Sequence, residues 1–342
     1  MKAAVFYGKN DLRIEEIEKP VPRSDEVLVK VMACGICGTD VHIFHGDEGA
    51  APTPAGTVLG HEFSGIVESV GRDVTAVKPG DKVCVDPNKL CGECDYCRGG
   101  MGHFCEHITG IGTTVNGGFA EYCAVPVSQV YKFEKAGYNR AAMTEPLACC
   151  LHGIDRCNIS CGDTVLIIGG GMIGMLMLQL AKMSGAGKVI LSEPVEEKRR
   201  QAEKLGADLC IDSVKEDLRT ALKRADVGRI ATVIECVGRK ETMSQAIEVA
   251  GNKATVMLFG LTSPGEKIEL SPFDIFKKEL TVTASYINPY TQGRALTLIE
   301  NGKTDVSSMV YRTVSLTELP GILADGKERA KGKIIVVPGI GN

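Results

Sequence analysis

Four cysteines within a span of fifteen residues have the spacing of a metal site. They follow the pattern C-x2-C-x2-C-x7-C and are Cys91, Cys94, Cys97 and Cys105. The intervening glycines suit tight turns that aim sulfur inward, and four thiolates at this spacing can close a tetrahedral zinc site. Such zinc holds a loop together and does no chemistry. Disulfides, an iron–sulfur cluster and reduced core cysteines are the alternatives, and the spacing favours structural zinc in a lobe at about residues 87–108.

A second group of metal-binding side chains comes from two loops nearer the N-terminus. The stretches MACGICGTDVHIFHG and VLGHEFSG supply Cys37, His61 and Glu62, which offer a thiolate, an imidazole and a carboxylate. Three ligands of this kind predict a second zinc with one position open to water or substrate. Removal of hydride from an alcohol requires loss of the hydroxyl proton, and a zinc ion makes the alkoxide accessible near neutral pH.

A glycine-rich turn marks the expected dinucleotide site. In TVLIIGGGMIGMLMLQLA, Gly169, Gly171 and Gly174 stand in G-x-G-x-x-G order between an apolar strand and an apolar helix. Gly169 would make the turn, Gly171 would let backbone N–H groups approach a pyrophosphate, and Gly174 would let helix and strand pack closely. Met172 and Ile173 begin the helix, whose N-terminus would stabilise the anion. A glycine turn without a ligand is the alternative.

The end of the next strand, KVILSEP, carries Glu193 about twenty residues after the glycine motif. A carboxylate at this place accepts hydrogen bonds from the adenosine ribose hydroxyls and repels a 2′-phosphate, which predicts NAD rather than NADP. Lys198 and Arg199 lie close enough in sequence to weaken that preference.

The distribution of strands and helices predicts two kinds of domain. Short apolar or alternating strands between Gly and Pro fill residues 2–142, which is typical of a β-rich domain. From about residue 147, apolar runs alternate with amphipathic helices, as in KVILSEP and VEEKRRQAEKLGA, and predict a parallel sheet covered on both faces. The last residues, from about 288, could belong to either domain.

The composition excludes several classes of partner. The chain of 342 residues is 44% hydrophobic and 24% charged, with a formal net charge of −4, so it gives no basic surface for nucleic acid or an anionic membrane. No apolar stretch reaches membrane-spanning length, and the start MKAAVFYGKN has no apolar signal region. The sequence therefore predicts a cytoplasmic protein with reduced thiols.

Several motifs together carry a family resemblance. With CGICGTDVH, GHEFSGIVESVG, the four-cysteine lobe, EPLAC and GGGMIG, the chain resembles, end to end, the zinc-containing medium-chain dehydrogenases of the alcohol dehydrogenase superfamily. Glu62 and Glu145 make it more similar to the sorbitol, polyol and threonine dehydrogenase branch. The resemblance implies an α/β protein with a GroES-like catalytic domain (residues 1–146), a Rossmann NAD-binding domain (147–286) and a C-terminal segment (287–342) that completes the catalytic domain. It also implies a homodimer or homotetramer, with the strand LTVTASY as one candidate interface.

The resemblance implies a ligand set for the catalytic zinc. Cys37 and His61 would bind the metal, and Glu62 would be the third ligand. Glu145 would either hold the metal-bound water or exchange with Glu62 as ligand, and the sequence leaves these two roles open.

The resemblance also implies a proton relay. Asp40 would orient His61 through the ring nitrogen that does not face the metal. Thr39 would accept the substrate proton, and His42 would pass it through the cofactor ribose to solvent.

The expected reaction is hydride transfer between a secondary alcohol and NAD. Two carboxylates at the catalytic zinc would make a polar pocket, which suits polyols and sugar alcohols that are oxidised to ketones. Of the Arg-Tyr pair that contacts the polyol in sorbitol dehydrogenases, only Tyr286 carries over, because Ser285 stands in place of the arginine. Phe44 and Phe119 are further substrate-contact candidates from their position in loops.

Other functions remain open from the sequence. An L-threonine 3-dehydrogenase is favoured by the acidic loop at Asp47 and Glu48, but no arginine is evident for the substrate carboxylate. A vicinal diol (butanediol) dehydrogenase is a further alternative. A zinc-stabilised NAD-binding sensor without turnover is disfavoured because metal ligands and relay residues occur together.

Overall fold

A computed structural model describes residues 1–47, 52–263 and 265–340 of the chain. The chain divides into two compact units, one built from Met1–Ala148 together with the chain from Asn288 onward, and the other from Cys149–Ile287. Among the described residues, no helix combines the length and the apolar character that crossing a membrane requires.

The secondary-structure elements are numbered along the chain. The strands are β1 (Lys2–Gly8), β2 (Asp11–Glu16), β3 (Glu26–Gly35), β4 (Thr57–Val58), β5 (Glu62–Val70), β6 (Lys82–Val85), β7 (Asn88–Lys89), β8 (Thr109–Gly110), β9 (Tyr122–Pro126), β10 (Val130–Lys132), β11 (Thr164–Ile168), β12 (Lys188–Ser192), β13 (Leu209–Ile211), β14 (Thr232–Glu235), β15 (Thr255–Leu258), β16 (Thr281–Ala284), β17 (Val310–Val314) and β18 (Lys333–Val336). The α-helices are α1 (Gly38–Phe44), α2 (Asp95–Arg98), α3 (Tyr138–Ala142), α4 (Thr144–Asp155), α5 (Met172–Met183), α6 (Glu196–Lys204), α7 (Leu218–Arg224), α8 (Lys240–Val249), α9 (Pro272–Lys278), α10 (Gln292–Glu300), α11 (Leu319–Ala324) and α12 (Gly326–Arg329).

The first unit is built around the long strand β3. Its main sheet has the order β10-β6-β5-β3-β18-β17, with β9 also paired to β3, and a smaller sheet has the order β2-β1-β4. Because side chains alternate across a strand, the apolar side chains on one face of β3 and β5 pack into a single core. That core contains Val27, Val29, Val31, Phe63 and Val67.

The register of three strands brings the metal-binding loops together. The antiparallel pairing of β3 with β5 sets Gly35 opposite Glu62, and the pairing of β18 with β3 sets Ile335 opposite Gly35. A Cβ atom on Gly35 would lie 2.2 Å from Oε2 of Glu62 and 2.7 Å from Cε of Lys333. A larger residue at this position would displace the ends of the Glu62 and Lys333 side chains, which lie over the glycine.

The second unit contains a six-stranded parallel sheet in the order β13-β12-β11-β14-β15-β16. The strand β11 lies centrally, and its residues Val165–Ile168 are buried as the apolar run predicted. Chain order reverses direction on either side of β11, which is the order of a doubly wound dinucleotide-binding sheet. The expectation of a doubly wound parallel sheet is therefore confirmed.

Candidate active site

The helix α1 positions Cys37 and Asp40 at the predicted catalytic zinc site. Its N-cap is Cys37, and Oδ2 of Asp40 accepts a hydrogen bond of 2.8 Å from the Cys37 backbone N–H. The other Asp40 oxygen, Oδ1, lies 3.3 Å from Nδ1 of His61. Asp40 is fully buried and thus links the cysteine loop to the histidine, leaving Nε2 of that ring as the nitrogen available to a metal.

Three side chains form a cluster of metal-binding type. Cys37, His61 and Glu62 each offer one donor atom, and the three atoms lie within 4.8 Å of one another. His61 and Glu62 are buried, and Cys37 is partly exposed. Burial alone would lower the pKa of His61, but the negative charges of Asp40 and Cys37 raise it well above its usual value.

The cluster passes a test for a divalent cation. Oε1 of Glu62 is buried and has no hydrogen-bond partner within the described parts of the chain, although such groups are normally satisfied. Thiolate, imidazole and carboxylate are the donors that zinc takes. Glu145 lies in the first turn of α4 and is 8% exposed, but it is not among the three clustered donors. The residues present therefore fit a zinc ion held by Cys37, His61 and Glu62.

The site also contains a buried lysine, Lys333, which no sequence motif had indicated. Nζ of Lys333 donates a hydrogen bond of 2.8 Å to the Ile36 carbonyl and forms an ion pair with Oε2 of Glu62. Burial lowers the pKa of Lys333, but the charges of Glu62 and Cys37 outweigh it and raise that pKa above the usual value. The only sequence signal was a lone lysine at the head of the apolar strand KIIVV. A bound divalent cation would displace the proton of His61, and its charge together with the Lys333 ammonium would balance the negative charges of Cys37, Asp40 and Glu62.

The expected relay residues lie three positions apart on α1, which places them on the same helix face. Thr39 is partly buried, and its Oγ1 is 3.8 Å from Sγ of Cys37. The side chain of His42 is 39% exposed, and its Nδ1 is 3.1 Å from Oδ2 of Asp47. Thr39 is therefore adjacent to the metal-binding cluster, while His42 is in contact with solvent.

The four-cysteine lobe forms a second cluster. Sγ atoms of Cys91, Cys94, Cys97 and Cys105 lie within 4.8 Å of one another. Backbone N–H groups of Cys97 and Glu106 lower the pKa of Cys94 to about 6. Burial and hydrogen bonds with the neighbouring thiols raise that of Cys97 to about 12. The two pKa shifts have opposite signs because ionisation of one thiol disfavours ionisation of its close neighbour. A bound cation would relieve this repulsion between thiolates. All fourteen cysteines lie within the described residues, and no disulfide joins any two of them.

The glycine turn joins β11 to α5 in the expected way. Gly169 has φ of +102°, a value that favours glycine, and a Cβ on Gly174 would lie 1.9 Å from the Gly169 carbonyl oxygen. Gly171 is the N-cap of α5, and a Cβ there would meet nothing within 4 Å. Met172 and Ile173 open the helix and are partly exposed. The turn thus leaves open space beside Gly171 at the helix N-terminus, where a phosphate would approach.

Glu193 lies beside this turn at the end of β12. Its Oε2 accepts a hydrogen bond of 2.7 Å from the Gly170 N–H, and its Oε1 accepts one of 2.9 Å from the Val195 N–H. Each carboxylate oxygen has a second lone pair, so ribose hydroxyls could still donate to it. Glu193 is only 5% exposed, and its orientation is fixed before any nucleotide arrives.

Comparison with known proteins identifies the family. Residues 23–135 match the alcohol dehydrogenase GroES-like domain, and residues 173–301 match the zinc-binding dehydrogenase family. The chain is 32% identical to D-arabinitol dehydrogenase 1 of Uromyces fabae over 340 residues, which is 98% of this chain and 97% of that protein. The chain belongs to the zinc-dependent medium-chain dehydrogenases. The expected GroES-like and Rossmann folds are thereby confirmed.

Two further relatives bear on the chemistry of this dehydrogenase. It is 34% identical to L-threonine 3-dehydrogenase of Pyrococcus abyssi, over 91% of this chain and 89% of that one. A protein of Sinorhizobium meliloti 1021, solved with NADP bound, has a TM-score of 0.95 and 40% identity, covering 98% of this chain and 99% of its own. Zinc and a nicotinamide dinucleotide are thus confirmed as the cofactors of this family of enzymes.

The expected substrate contacts have different surroundings. Phe44 and Phe119 are 5% and 0% exposed and lie in the hydrophobic core of the first unit, which favours a packing role. Tyr286 follows β16 in the second unit and is 39% exposed. Asp47 contacts His42, whereas Glu48, its partner in the acidic loop, lies outside the described residues.

Proposed function

We propose that this dehydrogenase oxidises a secondary hydroxyl of a polyol or sugar alcohol to a ketone and transfers the hydride to NAD. The observation that carries the proposal is the cluster of Cys37, His61 and Glu62 next to the Thr39 hydroxyl. The likeness to a D-arabinitol dehydrogenase over nearly the whole of both chains supports the substrate class.

Each residue around the predicted catalytic zinc has a separate role in the proposed reaction. A zinc ion, when bound, lowers the pKa of an alcohol hydroxyl and polarises a ketone oxygen. Thr39 accepts a hydrogen bond from the substrate hydroxyl, and His42 carries the proton onward to solvent. Asp40 holds His61 in one orientation, because its carboxylate faces Nδ1 of that ring.

We assign the third ligand position to Glu62 and a water-holding role to Glu145. Glu62 belongs to the donor cluster, and its Oε1 has no hydrogen-bond partner among the described residues. Glu145 is nearly buried but stands outside that cluster, which suits a base or water-holding group better than a permanent ligand.

A polyol is favoured over threonine by the pairing of Lys333, which is buried beside the metal-binding cluster. An amino-acid substrate needs a cation for its carboxylate. The Lys333 ammonium is 3% exposed and is already bound to Glu62 and to the Ile36 carbonyl, so it is not available to a substrate. A neutral polyol has no such requirement.

We also propose that the two units have different functions. The unit that contains Met1–Ala148 and the C-terminal segment would be the catalytic domain, because it holds both cysteine-containing clusters. The unit Cys149–Ile287 would bind the dinucleotide, because it holds the glycine turn and Glu193.

We further propose that the enzyme forms a homodimer through β16. This strand ends the parallel sheet, and on its outer side no strand of the described residues pairs with it. Phe273 and Phe276 of the adjacent helix α9 are 66% and 77% exposed, although large apolar side chains favour burial. Antiparallel pairing of two copies of β16 would satisfy the open edge and cover these rings.

The test of function measures formation of NADH by the zinc-loaded enzyme with a panel of pentitols, hexitols, 2,3-butanediol and L-threonine. Turnover of a polyol that a chelator abolishes is the expected result. Turnover of threonine alone would overturn the substrate assignment, and turnover that survives removal of zinc would overturn the metal assignment.

The test of assembly uses the alternation of backbone groups along β16. The Thr281 N–H donates to the Ala254 carbonyl inside the sheet, so the Val282 N–H points to the open edge. Val282→Pro should therefore convert a dimer to a monomer in sedimentation velocity. A dimer unaffected by this change would contradict the proposed interface.

A further inference from the structure

Two acidic residues end neighbouring strands at the coenzyme edge of the second unit. Glu193 follows β12 and Asp212 follows β13, and Ser192 and Ile211 form the last pair in the register of these two strands. Nucleotides bind outside the carboxyl ends of the strands in a doubly wound sheet. Asp212 therefore lies at the same edge as the carboxylate expected to bind the adenosine ribose.

One guanidinium lies between these two strand ends. NH1 of Arg199 donates hydrogen bonds of 2.7 Å to the carbonyls of Glu193 and Pro194, and its NH2 lies 2.9 Å from Oδ2 of Asp212. The side chains of Arg199 and Asp212 are 12% and 17% exposed, so the pair is poorly screened by solvent. Arg199 is therefore hydrogen-bonded to the backbone of Glu193, the residue that carries the ribose carboxylate.

Asp212 is itself held in place by its own loop. Its Oδ1 accepts hydrogen bonds from the backbone N–H groups of Val214 and Lys215, at 3.1 and 3.3 Å. The carboxylate is therefore oriented toward Arg199 by local backbone geometry and needs no other partner to hold it.

The other cations of the same cleft are also paired. Lys215 lies 3.6 Å from Oδ2 of Asp212, and Arg224 forms an ion pair of 2.7 Å with Glu216. These residues and Arg199 line one cleft in the second unit. Each of the three cations that line the cleft is therefore already paired with a carboxylate of the same cleft.

We propose that Asp212 is a specificity-determining residue that selects NAD against NADP by holding Arg199 away from the adenosine 2′ position. The proposal rests on the proposed use of a nicotinamide dinucleotide at this edge. An arginine close to the ribose is the group that accommodates a 2′-phosphate, and here NH1 of Arg199 is bound to two carbonyls and NH2 to a carboxylate. The same fold binds NADP in the related structure, so the preference must come from individual residues.

The experiment measures binding of NAD and NADP, and of the fragments AMP and 2′,5′-ADP, by calorimetry to the zinc-loaded enzyme. Asp212→Asn should strengthen binding of NADP and 2′,5′-ADP roughly tenfold, because one charge-assisted hydrogen bond becomes available to the phosphate. Binding of NAD and AMP should stay within about threefold, since the Glu193 carboxylate is unchanged.

Two further variants separate the mechanism from a general charge effect. Asp208→Asn removes a carboxylate that pairs with Lys182 at 3.0 Å at the amino end of β13, and it should leave both affinities unchanged. Adding Arg199→Ala to Asp212→Asn should cancel the gain for NADP. If Asp212→Asn folds poorly, Asp212→Ser keeps an acceptor for the Val214 N–H and should give the same result.

The outcomes distinguish this proposal from the proposed function. Equal affinity of the unaltered enzyme for NAD and NADP would overturn it, as would a gain that persists without Arg199 or no gain in either Asp212 variant. If neither dinucleotide binds to any variant that melts normally, the coenzyme assignment itself fails.

Discussion

The ammonium of Lys333 and the carboxylate of Glu62 form an ion pair in the interior of the first unit, with side chains that are 3% and 0% exposed. The lysine stands at the head of β18, and the glutamate opens β5. Glu62 is thereby held at one oxygen by a cation of the protein, and its other oxygen remains for a metal. The pair therefore keeps this carboxylate beside the Cys37 and His61 donors.

Removing the lysine charge should weaken the fold and change metal binding. Lys333→Met leaves Glu62 buried without its counter-charge, which costs about 3 kcal/mol of unfolding free energy in the zinc-free protein. The loss should be smaller with zinc bound, because the metal then neutralises the carboxylate. Denaturant unfolding with and without zinc measures both effects.

The matched control for this change is Lys132→Met. Lys132 pairs with Asp81 at 2.9 Å, but its side chain is 51% exposed. Loss of a surface pair should cost at most about 1 kcal/mol. Equal unfolding free energies for Lys333→Met and Lys132→Met would contradict the role given to the buried pair.

The two cysteine-containing clusters should respond differently to loss of a single thiol. Cys37→Ala should abolish turnover and remove one zinc ion, while the melting temperature and NAD binding change little, because the open cluster is not needed for folding. Cys94→Ala should lower the melting temperature, because a closed four-thiolate site contributes to folding. Metal analysis and thermal unfolding of both variants provide the measurement. Substantial activity in Cys37→Ala would rule out its assignment as a ligand.

The stability of the first unit should depend on pH through Asp86. Burial raises the pKa of this carboxyl from 3.8 to about 6. The folded state therefore binds more protons than the unfolded state between these values, and the free energy of unfolding falls as pH rises through about 6. Asp86→Asn keeps an oxygen for the Asn88 N–H and the Asn288 amide, so it should remove this decrease and be relatively more stable above pH 6.

Asp81 is a control, because its effect on the pH dependence of stability should have the opposite sign to that of Asp86. A hydrogen bond from Lys132 lowers the pKa of Asp81, so its stabilising effect is present above its unfolded pKa and is lost as pH falls. Asp81→Asn should therefore lose stability at neutral pH relative to the unaltered enzyme. Urea unfolding of both variants at a series of pH values tests the two signs, and parallel curves for all three proteins would refute the assignment.

Substitution by alanine at two glycines of the dinucleotide turn should affect stability at one position and dinucleotide binding at the other. Gly174→Ala would force a Cβ to 1.9 Å from the Gly169 carbonyl oxygen, which should cost about 1–3 kcal/mol of stability through overpacking. Gly171→Ala meets open space, so the fold should persist while the methyl group hinders approach of the pyrophosphate. Thermal unfolding and NAD titration separate these effects, and loss of stability in Gly171→Ala would be the contrary result.

Sequence patterns alone predict the parts of this enzyme that depend on residues close together in the chain. The four-cysteine lobe, the glycine turn and Glu193 were identified from spacing, because a chain segment of a few residues has few ways to bring such groups together. The alternation of strands and helices in the second half likewise fixed the parallel sheet, since buried strands must be covered by helices on both faces.

Pairs of residues that are far apart in the chain meet only in the folded protein. Lys333 contacts the Ile36 carbonyl across 297 residues, and only the pairing of β18 with β3 brings it to Glu62. Arg199 reaches Asp212 because two parallel strands end side by side. Such pairings follow from strand register, which global packing of the core sets and local sequence does not. The same packing buried Phe44, whose loop position alone had made it a candidate for substrate contact.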